Sequence, residues 1–433
     1  MGDREVPKER DGGLRELLSS KEALRPLIED CRKGRISRAV ARREARDPRL
    51  TATYDSPLDH AQEFAWRVAH LSVREAVRFK KALKLLRSEK DGDVRALTKG
   101  GMDVKGEGVY QALLLQSWML RYDNPQLMCH LAKVAMEMCD GFDPEVYGIK
   151  RVADLRARAW GELGNAYRVA NRYREAEEAF GEAFHFLRQG SGDRELKLHL
   201  LDLEASLLGT LREFELALDR LGTLSRMYRE DGDLHLAGRA LMTKALYTYY
   251  NGNTEGACQI IAEGLSLIDL DRDPSLVVVA AFDQLLFLVD AGHYSEATRA
   301  LFENRPRFSD QGRMVMIKLR GIEGSISYGI GNLESAEVAF REAKADFAEA
   351  GMIFGCALAG LELATTLLRQ GKTEEAIKEG LESAELFLSL KMQREILGTA
   401  LFLKEAFEDR TVELETLEKT IRWLRKKMIE YGV

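Results

Sequence analysis

Seven histidines and five cysteines are the side chains of this 433-residue sequence best suited to metal or nucleophile chemistry, and their spacing supports neither. His60, His70, His130, His185, His199, His235 and His293 form no His-Glu-x-x-His and no Cys/His spacing that suits zinc, so they read as surface or groove histidines. Cys31, Cys129, Cys139, Cys258 and Cys356 are odd in number and include no Cys-x-x-Cys, as expected of reduced thiols in a cytosolic protein. Asp269, Asp271 and Asp273 have the alternation of a calcium loop, but Pro274 replaces its glycine and Ala280 its bidentate glutamate. Gly371-Lys372-Thr373 ends like a phosphate loop, yet Thr366 stands where the leading glycine belongs. No Gly-x-Ser-x-Gly and no locally supported Cys-His pair is present. The expectation is a non-enzymatic protein with no catalytic residue, no cofactor and no metal.

Composition narrows the class. An apolar fraction of 45% with 31% charged residues belongs to folded chains, and eight prolines among abundant Ala, Leu, Glu and Arg favour helix throughout. The net charge of −6 is unevenly spread: residues 1–105 carry 25 basic and 18 acidic side chains, which leaves a net of −13 on residues 106–433. No apolar run reaches the length of a membrane span, and the amino terminus is charged where a signal peptide is apolar, so a cytoplasmic protein without membrane contact is expected.

The elements that would position any site repeat along the chain. Chain-breaking clusters centred at 191, 232, 272, 311, 351 and 391 are 39 to 41 residues apart, and a second set of turns, such as Asn251-Gly252-Asn253 and Ile330-Gly331-Asn332, divides each interval into two helices. One unit reads Trp160, Leu163, Gly164, Tyr167, then Ala176 and Phe180. That pattern resembles the tetratricopeptide (TPR) family, in a long-period form of about 40 residues per unit like the solenoids of bacterial signalling receptors. Small residues recur at the same alignment in Ala205 with Ala217, Ala245 with Ala257, Gly324 with Ala336 and Ala364 with Ala376, where paired helices would approach most closely. The fold class expected is all-α, an α-α superhelix preceded by an N-terminal helical region. Its segments are a basic N-terminal segment over 1–56, helices and a glycine-containing hinge over 57–108, a divergent helical hairpin over 109–150, about six TPR-like repeats over 151–396, and capping helices over 397–433.

The resemblance implies a groove lined by the first helix of each pair, able to hold a protein or peptide ligand. In the family register its lining includes Arg158, Asn165, Arg168, His199, Asp202, Arg239, Met242, Tyr249, Phe282, Asp283, Lys318 and Tyr328. The lysine that accompanies Asn165 in carboxylate-clamp members is Gly161, so that mode of capture is not expected. Arg35, Arg38, Arg42, Arg43 and Arg46 belong to an arginine-rich stretch that would contact nucleic acid or an acidic partner. A peptide or protein scaffold or sensor is therefore expected. A peptide-responsive transcription regulator using the basic region and a passive assembly scaffold are the alternatives, with association into homo-oligomers left open.

Overall fold

The structure, a computed structural model, describes residues 63–65, 67–88, 94, 97, 105–309, 311–390 and 394–431. The arginine-rich stretch with Arg35, Arg38, Arg42, Arg43 and Arg46 lies outside the described residues. Among the described residues there are eighteen α-helices, one 3-10 turn at Cys139–Gly141 and no strand. The helices are α1 (Val73–Ser88), α2 (Glu107–Met119), α3 (Pro125–Met138), α4 (Pro144–Tyr147), α5 (Ile149–Val169) and α6 (Tyr173–Gln189). They continue as α7 (Arg194–Thr210), α8 (Phe214–Glu230), α9 (Leu234–Tyr250), α10 (Thr254–Leu267), α11 (Pro274–Ala291) and α12 (Tyr294–Ser309). The last six are α13 (Arg313–Gly329), α14 (Leu333–Glu349), α15 (Ile353–Arg369), α16 (Thr373–Ser389), α17 (Arg394–Glu408) and α18 (Leu414–Tyr431). All-α architecture built from consecutive helical pairs, the TPR-like arrangement expected from the repeats, is what the chain adopts.

Local chemistry explains the boundaries. Asn124, Asp193, Asn253 and Asn332 each accept a hydrogen bond from the backbone N–H three residues on, which satisfies one of the orphan donors of the helix that follows. The turn inside each pair needs one residue in the left-handed region. Asn171, Arg212, Gly252, Gly292, Gly331, Gly371 and Arg410 supply it at φ between 58° and 93°, spaced 39 to 41 residues apart. In all seven the next residue's N–H returns to a carbonyl five positions back, as from His293 to Leu288 at 2.8 Å and from Thr411 to Ala406 at 2.9 Å. The turn at Arg410 carries the period one unit beyond the six expected repeats, so α17 and α18 form a seventh pair.

Small residues sit where paired helices touch. A methyl added at Gly164 would lie 2.9 Å from the Phe180 ring, and one at Gly324 would lie 2.8 Å from Phe340. The described chain divides into two compact units. The first holds residues up to 240 together with 271–273, and the second holds 241–270 and residues from 274 onward. In the first unit α5 packs on α6 and α7, and α7 on α8. The core of its leading helices includes Phe64, Phe79, Leu83 and Leu113, while Lys80, Lys81 and Lys84 face solvent. In the second unit the first helices α11, α13 and α15 stack on one another, each also packing on its own second helix, and α18 lies against α15.

Candidate functional site

Two first helices of the second unit, α11 and α15, are long apolar helices interrupted by very few charges. α11 carries only Asp283 and Asp290, and α15 only Glu362 and Arg369. A carboxylate in such a setting must be paired. Its partner comes from α18, whose Leu417, Ile421 and Leu424, spaced four and three residues apart, are buried among Leu358, Leu361, Phe387 and Leu403. This anchoring turns Arg425 onto the wall. Its Nη1 donates to Asp290 Oδ1 at 2.7 Å, its Nε to Glu362 Oε1 at 2.9 Å, and its Nη2 to Ser325 Oγ at 2.7 Å. The Asp290 side chain is 1% exposed and that of Arg425 12%. Tyr249 donates its hydroxyl to the second oxygen of Asp290 at 2.6 Å and stacks on Phe287, with Lys426 Nζ 4.6 Å above its ring. Tyr328 donates to Glu418 Oε1 at 2.5 Å, and the Arg369 guanidinium covers its ring.

The electrostatics follow from burial. Desolvation raises the Glu362 carboxyl above its ordinary range, against the Arg425 charge and hydrogen bonds that favour ionisation. Burial, and then the Asp290 charge, push the Tyr249 hydroxyl well up, which keeps it a donor. Beside the arginine lies a cavity of about 280 Å³, with Tyr294, Tyr328, Phe340, Thr365, Arg369 and Arg422 in its lining. The three positions that meet Arg425 form a diagonal. Asp290 is two residues before the turn glycine Gly292, Ser325 six before Gly331, and Glu362 nine before Gly371, so each contact falls about one helical turn lower than on the preceding first helix.

The first unit has its own buried polar cluster on the same face of its pairs. Glu63, in the helical residues before α1, accepts from Arg158 Nη1 at 2.7 Å and lies 3.3 Å from His199 Nδ1, while His199 Nε2 is 2.9 Å from Glu162 Oε1. Burial alone would lower the His199 pKa, but the Glu63 charge and the bonds to both carboxylates push it up to about 9, so the ring is an imidazolium that donates from both nitrogens. Burial would raise the Glu63 carboxyl, and His199, Arg67 and Arg158 together hold it well below the usual carboxylate range. Arg67 adds its guanidinium 4.1 Å above the Phe64 ring.

These contacts place the residues expected in a groove. Arg158 and His199 are buried against Glu63, and Arg239 is buried with Nη2 2.7 Å from Asp202. Asn165 is buried, and its side-chain oxygen accepts from Arg168 within its own helix. In the second unit Met242, Tyr249 and Asp283 are buried, Phe282 packs partly against the core, and burial lowers the Lys318 pKa while Asp283 opposes it. Tyr328 is half-buried under Glu418 and Arg369. Thus Arg158 and His199 are brought together in the first unit, and Tyr249 and Tyr328 both meet α18 in the second. Asp290, Glu362, Glu162, Glu63 and Arg425 were not in the expected set. The signal that could have found the first two is a carboxylate isolated in an apolar first helix. Among the described residues no group of three or more His, Cys, Asp or Glu is arranged to hold a metal ion, and no helix is long and apolar enough to cross a membrane.

No family model matches the chain, and no curated protein matches it. Solved structures that align with the chain include the apo form of RapI, at 13% identity and a TM-score of 0.48 over 65% of this chain and 98% of that one. A Rap protein complexed with Competence and Sporulation Factor aligns at 13% identity and 0.44, over 90% and 99% of the two chains. A signal transduction ATPase with a tetratricopeptide repeat sensor, from Pyrococcus horikoshii, aligns at 15% and 0.42 over 86% and 68%. The fold is evident from the helical pairs themselves.

Proposed function

We propose that the chain is a non-enzymatic scaffold or sensor that holds a peptide or protein segment on the first-helix faces of its repeats. The observation that carries this reading is the seating of α18. A helix remote in sequence lies across α11, α13 and α15 and satisfies carboxylates that those helices could not bury alone. Polar groups set in an apolar wall give a bound helix its register, as anchor residues do in helix-in-groove recognition. The expected site residues Tyr249 and Tyr328 each donate an aromatic hydroxyl there, to Asp290 and to Glu418 of α18.

Selection of binders from a display library of helical peptides tests this directly. Peptides recovered on the purified chain should slow amide exchange in α11, α13 and α15, and Glu362→Lys should abolish their retention while helical content by circular dichroism stays unchanged. Recovery of no binder, or of binders that protect only second helices, would remove the reading.

A further inference from the structure

The contacts of Arg425 define what the wall holds. Asp290 and Glu362 converge on one guanidinium and are both shielded from solvent, with Tyr249 and Ser325 already committed to the same cluster. Removing the guanidinium while α18 stays seated would strand two carboxylates against apolar helices, and uncompensated buried charge is among the most unfavourable arrangements a protein can adopt. A cation set in the place of Arg425 would restore both ion pairs. The planar fork of arginine fits best, because Asp290 and Glu362 engage different edges of the group.

We propose that Asp290, Ser325 and Glu362 form a guanidinium receptor whose built-in occupant is α18, and that the external ligand is an arginine-bearing amphipathic helix that takes its place. This deepens the peptide-holding reading above and rests on it. The occupant supplies the template for its competitor. α18 presents apolar Leu417, Ile421 and Leu424 on one face, an acid at Glu418 that meets Tyr328, and the arginine seven residues later. The adjoining cavity under Tyr328 and Arg369 leaves room for a competitor to bury a larger side chain than α18 does there, which is how it could outdo a tethered rival. The tether is a real obstacle, since a segment on the same chain competes at an effective concentration on the order of millimolar.

The test uses the full chain and a synthetic peptide with the sequence of residues 412–431. Arg425→Gln in the chain should release its own helix and tighten binding of the peptide by about tenfold or more relative to the unmodified chain. Amide exchange in the chain's own α18 should quicken as peptide binds. The same peptide carrying Arg425→Gln, with Arg422 kept, should gain nothing from the substitution in the chain. If Arg425→Gln does not fold, Arg425→Lys keeps the charge without the fork, and peptide affinity for it should still exceed that for the unmodified chain. Equal affinity of the arginine and glutamine peptides would overturn the receptor, and so would saturation that leaves α18 exchange unchanged while α11 and α13 become protected. That last result would leave peptide holding intact, whereas absence of binding to every form of the chain would remove both.

Discussion

A single guanidinium and a single imidazolium carry most of the electrostatic consequence. Arg425→Ala would strand Asp290 and Glu362, and chemical denaturation should show the second unit losing about 3 to 5 kcal/mol. Exchanging all three for apolar or neutral residues of similar size, Arg425→Met with Asp290→Asn and Glu362→Gln, should recover much of that loss, since the pair itself contributes less than its breakage costs. In the first unit His199 titrates near 9 in the folded chain against 6.5 when unfolded. Its contribution is therefore complete below pH 6.5 and is lost as pH climbs through 9. Glu63 and Glu162 behave oppositely, because their lowered folded values make their contribution complete above 4.5 and lost on acidification. Thermal denaturation of the first unit should peak between pH 4.5 and 6.5 and weaken toward pH 9, with the alkaline decline absent in His199→Gln. A flat profile over that alkaline range would contradict the imidazolium assignment.

At the scale of the helical pair, the turn demands one backbone conformation and the point of close approach a small residue, which is why both were legible in the sequence. A left-handed residue is required once per turn, and glycine provides it four times out of seven. Arg212 adopts the same backbone with a side chain, so Arg212→Gly should raise stability by up to about 1 kcal/mol, read as a higher denaturation midpoint. Gly324→Ala should do the reverse, losing about 1 to 3 kcal/mol, because its new methyl meets the ring of buried Phe340. The family register also brought Tyr249 and Tyr328 to the face where α18 lies. It could not reveal Arg425 as an anchor: the basic end of α18 reads as a cap suited to the helix dipole, and its partners lie 63 to 135 residues away. Only the tertiary crossing of α18 over three first helices brings them together. Glu63 was hidden for the same reason, being 95 residues from Arg158.

On the scale of a whole unit, stacked repeats ordinarily share stability only with their neighbours. α18 breaks that rule by joining the wall at α11, α13 and α15 at once. A cavity made at Phe407, which is fully buried beside Leu417 and Ile421, should therefore weaken amide protection in α11 as well as in α15 to α18. Protection lost only in α15 to α18 would show that the bridge transmits nothing. The stepwise descent of the three anchoring positions has one more consequence. A row inclined the other way across the same helices would run from Asp283 through Ser325 to Arg369, ending on a cation in place of a carboxylate. The surface is thus handed: of two mirror-image tilts of one cationic rod, only one meets a carboxylate at both ends.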